Sequence, residues 1–204
     1  MTPVSDVPAR WPTLSTARRF QGSVFSVRTD RVGMPDGEAA DRDVVEHPGA
    51  VAVLALDDAE RVLLIRQYRH PVGRLLWELP AGLRDVDGEQ PLATAQRELM
   101  EEAAFRATSW LTLVDFLTTP GMSDERVRIF LARGLSEIPD AERDFTARHE
   151  EARLEVAWLP LDDAVNAVVA GRLHNPTAVV GILASYAARS DRFATLRSVD
   201  APEG

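Results

Sequence analysis

Three glutamates that lie close together in the sequence are the strongest candidates for chemistry. Glu98, Glu101 and Glu102 belong to the segment RELMEEAAF. On a helix, residues three and four apart share a face, so these carboxylates would crowd together and repel one another. Hard divalent cations with oxygen ligands neutralise such a cluster, and Mg²⁺ also accepts phosphate oxygens. The spacing therefore indicates a metal site suited to a diphosphate.

The same segment is also compatible with an ordinary solvated helix face, on which Arg97 and Arg106 are surface partners of the acids. The context favours the metal site. PAGL supplies a glycine turn before the helix, Glu89 lies eight positions ahead of Arg97, and apolar stretches flank the whole segment.

The acids must be presented by a helix, and the segment from Pro91 to Ala103 has the pattern of one. A proline is tolerated in the first turn of a helix, and apolar residues at positions 92, 95, 99 and 103 form one stripe. Two further helices are predicted from position 161 to Gly171 and from Asn175-Pro176 to Ala188. Strands are predicted at residues 22–32, DVVEH, AVAVLAL, RVLLIRQYR, LTLVDFL, VRIFLAR and RLEVAWL.

The order of these elements predicts an α/β fold in which a mixed sheet packs between helices, preceded by a small β-rich N-terminal segment. Within that segment, residues 1–20 contain three prolines and little periodicity, which predicts an extended arm. We expect an N-terminal part over residues 1–48, a main domain over 49–190 and a tail without strong signals over 191–204.

Composition limits the class of protein. The 23 Lys and Arg against 32 Asp and Glu give a net charge of −9, which disfavours nucleic acid as a partner. All cations are arginines, which suit phosphate groups, although a coding bias explains this composition equally well. The chain has no cysteine, no apolar run of bilayer length and no apolar signal-peptide core near its first residue. We therefore expect a cytoplasmic protein with no membrane partner.

The segment from Gly82 to Phe105 resembles the Nudix box, written G-x5-E-x7-R-E-U-x-E-E-x-G-U with U a bulky apolar residue. The residues that match it in order are Gly82, Glu89, Arg97, Glu98, Leu99, Glu101, Glu102 and Phe105. Two positions depart from the box. Six residues instead of five separate Gly82 from Glu89, where an extra loop residue costs little. Ala104 replaces the second glycine, which near a helix end can serve a left-handed backbone.

The resemblance covers roughly residues 40–190 and narrows toward the ADP-ribose pyrophosphatase branch of the family. Pro120 lies 15 residues past Phe105, and the segments EHPGAV, RQYRHP, WELPAG and TPGMSDE are also similar. The resemblance implies a Nudix-type α/β/α sandwich that hydrolyses a nucleoside diphosphate linked to another moiety, first of all ADP-ribose to AMP and ribose 5-phosphate. Alternatives are a Nudix hydrolase of nucleotide sugars or dinucleotides and a non-catalytic ligand sensor with the same fold.

The resemblance also implies roles for individual residues. Mg²⁺, with Mn²⁺ as the alternative, would be held by Glu98, Glu102 and the backbone carbonyl of Ala81. Glu101 would be an auxiliary ligand. Gly82, Glu89 and Arg97 would be supporting residues that hold the helix against its loop.

Further roles fall outside the box. The general base is expected on a late loop, with Glu150 as first candidate and Glu151 as second, although both also fit a solvated loop. Arg69 would contact the substrate. Arg42 would do so from the N-terminal segment, unless it is a simple surface arginine. The family implies a homodimer in which the N-terminal segments, here residues 1–48, are exchanged between subunits.

Overall fold

The computed structural model describes residues 4–139 and 154–203. Their strands are β1 (Thr13–Gln21), β2 (Ser26–Gly33), β3 (Ala39–Glu46), β4 (Ala50–Ala55), β5 (Arg61–Arg69), β6 (Arg74–Glu78), β7 (Ala81–Leu83), β8 (Phe105–Leu117), β9 (Arg126–Glu137) and β10 (Glu155–Pro160). The helices are α1 (Pro91–Ala103), α2 (Leu161–Val169) and α3 (Pro176–Ala188). Within the described residues, no helix is both long enough and apolar enough to cross a membrane.

The chain divides into two compact units, of which the smaller contains Met1–Pro48 and Thr119–Glu125. Its antiparallel sheet has the order β1-β2-β3. The prediction of an arm over residues 1–20 was wrong for residues 13–20, which belong to β1. The sequence did not indicate this strand because all nine of its residues are exposed and they show no apolar alternation. The strand predicted over 22–32 starts later, at Ser26, because a turn closed by the Gly22 N–H and the Phe25 carbonyl, 2.9 Å apart, precedes it.

The larger unit contains Gly49–Thr118 and Arg126–Gly204. It has a mixed sheet of order β7-β4-β9-β8, in which β4 and β9 are parallel, and an antiparallel sheet of order β10-β5-β6. The predicted mixed sheet is therefore confirmed. The buried strands β4 and β5 match the predicted segments AVAVLAL and RVLLIRQYR, but they belong to different sheets.

Successive residues of β4 point to opposite faces of the mixed sheet. Val51 and Val53 pack with Leu99 of α1, whereas Leu54 packs with Ile182 of α3, and all of these side chains are fully buried. A strand buried on both faces needs a helical layer on each. This alternation produces the predicted α/β/α sandwich.

Helix α1 begins and ends where the sequence predicts. It stops because Ala104 adopts the left-handed conformation, with φ 57° and ψ 38°, and its N–H donates to the carbonyls of Leu99 and Met100. Helix α3 also begins as predicted, since the side chain of Asn175 accepts a hydrogen bond of 3.1 Å from the Ala178 N–H.

The segment after α3, predicted without strong signals, is packed onto the larger unit. Phe193 is only 5% exposed and belongs to the core. The N–H of Thr112 in β8 donates to the Arg197 carbonyl at 2.9 Å, and its hydroxyl donates to the Ser198 carbonyl at 3.0 Å. The residues up to 203 therefore belong structurally to this unit.

Candidate active site

The candidate metal-binding carboxylates lie where α1 packs against β7. Glu98 is buried, and its carboxyl group lies so close to Gly82 that a Cβ atom at this position would overlap it. One turn further along α1, Oε2 of Glu102 accepts a hydrogen bond of 2.8 Å from the Ala81 N–H. The structure thus brings both glutamates to two consecutive residues of one short strand.

Arg97 connects the acids of α1 with the loop before it. Its Nη1 donates to Glu98 Oε1 at 2.7 Å and to Glu101 Oε2 at 3.1 Å. Its Nε and Nη2 lie 3.4 and 3.3 Å from the two carboxyl oxygens of Glu89. Burial alone would lower the pKa of Arg97, but the hydrogen bond with Glu89 and the charges of Glu98, Glu101 and Glu89 raise it above its ordinary value. Arg97 therefore remains charged throughout the accessible pH range.

Glu89 has a second partner that the sequence did not suggest. The hydroxyl of Thr94, which is fully buried in the first turn of α1, donates to Glu89 Oε2 at 2.8 Å. The hydrogen bonds from Arg97 and Thr94 hold the pKa of Glu89 below its ordinary value of 4.5. Thr94 lies four residues before Glu98 and therefore on the same face of α1, and this spacing is the signal that could have identified it.

The donor set of this face fits a hard divalent cation. Glu98 and Glu102 supply oxygen atoms only, and both lie at the backbone of β7. In the part of the chain that the structure describes, no three acidic or histidine side chains converge as a ready cation site. One reason is that Arg97 donates to Glu98 and Glu101. A cation at Glu98 would therefore share or displace this arginine.

Arg69 lies at the end of β5 and forms a two-pronged ion pair with Glu78. Its Nε lies 2.9 Å from Glu78 Oε1 and its Nη2 lies 2.6 Å from Oε2. The Glu78 side chain is 2% exposed, whereas that of Arg69 is 44% exposed. A buried carboxylate thus fixes the orientation of an accessible guanidinium group. The sequence segments RQYRHP and WELPAG contain the two partners, but nothing in their spacing predicted the pair.

The remaining predicted site residues are Arg42, Glu150 and Glu151. Arg42 lies in β3 of the smaller unit, is exposed, and donates from Nη1 to the Asp41 carbonyl at 2.9 Å. Glu150 and Glu151 lie outside the described residues.

The sequence was compared with models of known protein families, and one family matches. The model of the NUDIX domain matches residues 46–178, which is well over half of the chain. This chain belongs to the NUDIX domain family. The predicted family is confirmed, and with it the predicted class of Nudix pyrophosphohydrolases.

Several individual proteins are similar along most of their length. The chain is 46% identical over 188 residues to an ADP-ribose pyrophosphatase of Mycobacterium tuberculosis, covering 92% of this chain and 88% of that protein. It is 38% identical to an ADP-ribose pyrophosphatase of Bacillus subtilis, with coverages of 76% and 82%. It is 33% identical to a methanol dehydrogenase activator of Bacillus methanolicus, with coverages of 83% and 89%.

A solved structure supports the fold independently. The crystal structure of an ADP compounds hydrolase matches with a TM-score of 0.76 and 18% identity, covering 92% of this chain and 99% of that one. The predicted Nudix-type sandwich is therefore confirmed.

Proposed function

We propose that this chain is a cytoplasmic enzyme that hydrolyses ADP-ribose to AMP and ribose 5-phosphate with Mg²⁺, or alternatively Mn²⁺, as cofactor. The observation that carries the proposal is the meeting of Glu98 and Glu102 at residues 81 and 82 of β7. The ADP-ribose pyrophosphatases of M. tuberculosis and B. subtilis support the choice of substrate.

The metal would be held by Glu98, Glu102 and the carbonyl of Ala81, with Glu101 as an auxiliary ligand. When bound, the cation would neutralise the diphosphate and orient it for attack by water. Water then forms a bond to one phosphorus atom, the bridging P–O bond breaks, and two monophosphates result. Glu89 and Arg97 keep α1 in register with its loop, as the hydrogen bonds between them support.

A general base must accept the proton of the attacking water. Glu150 is the first candidate and Glu151 the second, and neither belongs to the described residues. Both candidates are supported by the resemblance of the sequence to the family. A glutamate on a late loop could reach the water while Glu98 and Glu102 remain committed to the cation.

Two arginines are proposed as substrate contacts. Arg69 is supported by its ion pair with buried Glu78, because this pair holds an accessible guanidinium group, whose planar shape suits phosphate oxygens, in one orientation. Arg42 is supported by its exposure on β3. A neutral variant of either residue should raise KM more than it lowers kcat if the contact is made equally in ground and transition state.

We also propose a homodimer with exchanged N-terminal segments. The smaller unit exposes several large apolar side chains, including Trp11 at 53%, Leu14 at 60% and Phe20 at 51%. Large exposed apolar side chains are suited to burial in an interface between subunits. Light scattering after size exclusion should give twice the mass of 22.5 kDa, and the monomer mass would contradict the proposal.

The substrate is tested with a panel of ADP-ribose, a nucleotide sugar and a dinucleotide, each incubated with Mg²⁺ and analysed for products. AMP and ribose 5-phosphate formed faster than any other product pair support the proposal. Preferential cleavage of another compound would assign the chain to the nucleotide-sugar or dinucleotide alternative. Binding of ADP-ribose in calorimetry without turnover would identify a ligand sensor.

A further inference from the structure

The loop between β7 and α1 is tied to a residue far along the chain. Arg84 follows β7 directly, and its N–H donates to the Gly49 carbonyl at 3.1 Å. Its Nη1 donates to both carboxyl oxygens of Glu203, at 2.8 and 3.0 Å. The two side chains are 28% and 22% exposed, so this ion pair is largely shielded from solvent. It links two residues 119 positions apart.

Glu203 is presented by a segment that is itself fixed. Arg128 of β9 is 3% exposed and donates from Nη1 to the Ala201 carbonyl at 2.9 Å. Its Nε and Nη2 hold Asp115 of β8 at 2.7 and 2.9 Å. Together with the bonds from Thr112 to residues 197 and 198, these contacts anchor the segment 197–203 on the mixed sheet. The carboxylate of Glu203 thus reaches Arg84 from a fixed base.

Strand β7 is a short edge strand. It is three residues long and packs against α1, and among the described strands it pairs with β4 alone, through positions 81 to 83. The backbone of Ala81 and Gly82 nevertheless forms the surface against which the two candidate metal-binding carboxylates lie. A shift of a few tenths of an ångström in this strand would move both acids, because interiors are closely packed.

We propose that Glu203 is a positioning residue for the candidate metal site: by holding Arg84 it fixes β7, and thereby the relative position of Glu98 and Glu102. The proposal rests on the proposed function, since it assumes that these glutamates bind a divalent cation. It predicts that Glu203, a residue outside the Nudix box, affects metal affinity without touching the metal.

The test measures the Kd of Mn²⁺ directly, by electron paramagnetic resonance in the absence of substrate. Glu203→Gln should raise the Mn²⁺ Kd about 3- to 10-fold, below the 10- to 100-fold typical when a partner of a ligand is removed. The matched control is Asp162→Asn, which breaks the 2.8 Å ion pair with Arg189 elsewhere on the same unit. Its Kd should stay within about 2-fold of the wild type. The Mn²⁺ Kd of the double variant Arg84→Gln/Glu203→Gln should not exceed that of Glu203→Gln, because Arg84 acts through its ion pair with Glu203, whereas Glu203 also lies 3.9 Å from Arg128 Nε.

Hydrogen exchange provides a second measurement that does not depend on metal. In Glu203→Gln the Arg84 amide should exchange at least about 10-fold faster, while the Ala178 amide in α3 is unchanged. Wild-type Mn²⁺ affinity in Glu203→Gln, or an equal loss in Asp162→Asn, would overturn the proposal. Failure of the proposed function is distinguishable, because the wild type itself would then bind no Mn²⁺.

Discussion

The carboxyl group of Glu98 fills the space that a side chain at Gly82 would need. This glycine has no left-handed backbone, so its role is to leave room rather than to allow an unusual conformation. The first glycine and the first candidate metal-binding glutamate of the Nudix box are therefore a packed pair. In this pair the first residue of the box lies on β7 and the glutamate lies on α1, and the loop between them allows the strand and the helix to pack together.

Gly82→Ala should displace the carboxyl group of Glu98 and thereby weaken metal binding. We expect a loss of Mg²⁺ affinity of at least about 10-fold and a destabilisation of about 1–3 kcal/mol from overpacking. Mg²⁺ titration of activity and urea unfolding measure the two effects. The control is Gly33→Ala, since an added Cβ there would have no neighbour closer than 3.7 Å. A Gly82→Ala enzyme with unchanged Mg²⁺ dependence would show that Glu98 is not held as described.

Ala104→Gly should stabilise the protein. A left-handed backbone, with φ 57° at this position, strains a residue that has a Cβ atom but not glycine. We expect a gain of about 0.5–1 kcal/mol in the free energy of unfolding, measured by urea or thermal melts. Ala103→Gly, inside the last turn of α1, should instead lose about 1 kcal/mol. A loss of stability in both variants would contradict this account of the replaced box glycine.

The sequence predicted α1 well because the apolar stripe, the proline of the first turn and the acidic residues 98, 101 and 102 of the Nudix box all lie within the same thirteen residues. It also predicted that the glycine position at 104 concerns a left-handed backbone. It missed β1, since exposed strands lack the alternation that identifies a strand.

Other features of the site depend on contacts between distant residues. The pair of Arg69 and Glu78 joins two strands, and the pair of Arg84 and Glu203 joins residues 119 positions apart in the chain. Such contacts depend on which strands become neighbours. Periodicity and local motifs carry no information about that, so the tail from 191 gave no signal although Phe193 is in the core.

The stability that Glu89 contributes should depend on pH in the acid range. Because the folded protein holds the pKa of Glu89 below 4.5, its contribution is fully present above that value and is lost as pH falls through the lower, folded pKa. Glu89→Gln should therefore melt at a lower temperature than the wild type at neutral pH, and the difference between the two melting temperatures should shrink as pH falls below 4.5. A constant difference down to pH 3 would contradict the ion pair with Arg97.

Glu150→Gln tests the proposed general base. We expect kcat to fall by roughly 10²–10⁴-fold while KM changes little, because proton transfer acts in the transition state. Steady-state kinetics with ADP-ribose measures both constants. Glu151→Gln is the matched control, with kcat near the wild-type value. The opposite pattern would assign the base to Glu151, and no loss in either variant would remove both from the mechanism.

Turnover of ADP-ribose by the wild type and Glu102→Gln, side by side in Mg²⁺, tests the central claim most directly. The amide can still accept the hydrogen bond from Ala81 but is a poor ligand for a cation, so the fold should persist and the melting temperature without metal should be unchanged or slightly higher. We predict equal amounts of AMP and ribose 5-phosphate from the wild type, and a kcat/KM at least about 100-fold lower in the variant. Undiminished turnover by Glu102→Gln, or wild-type turnover in excess chelator, would contradict the account.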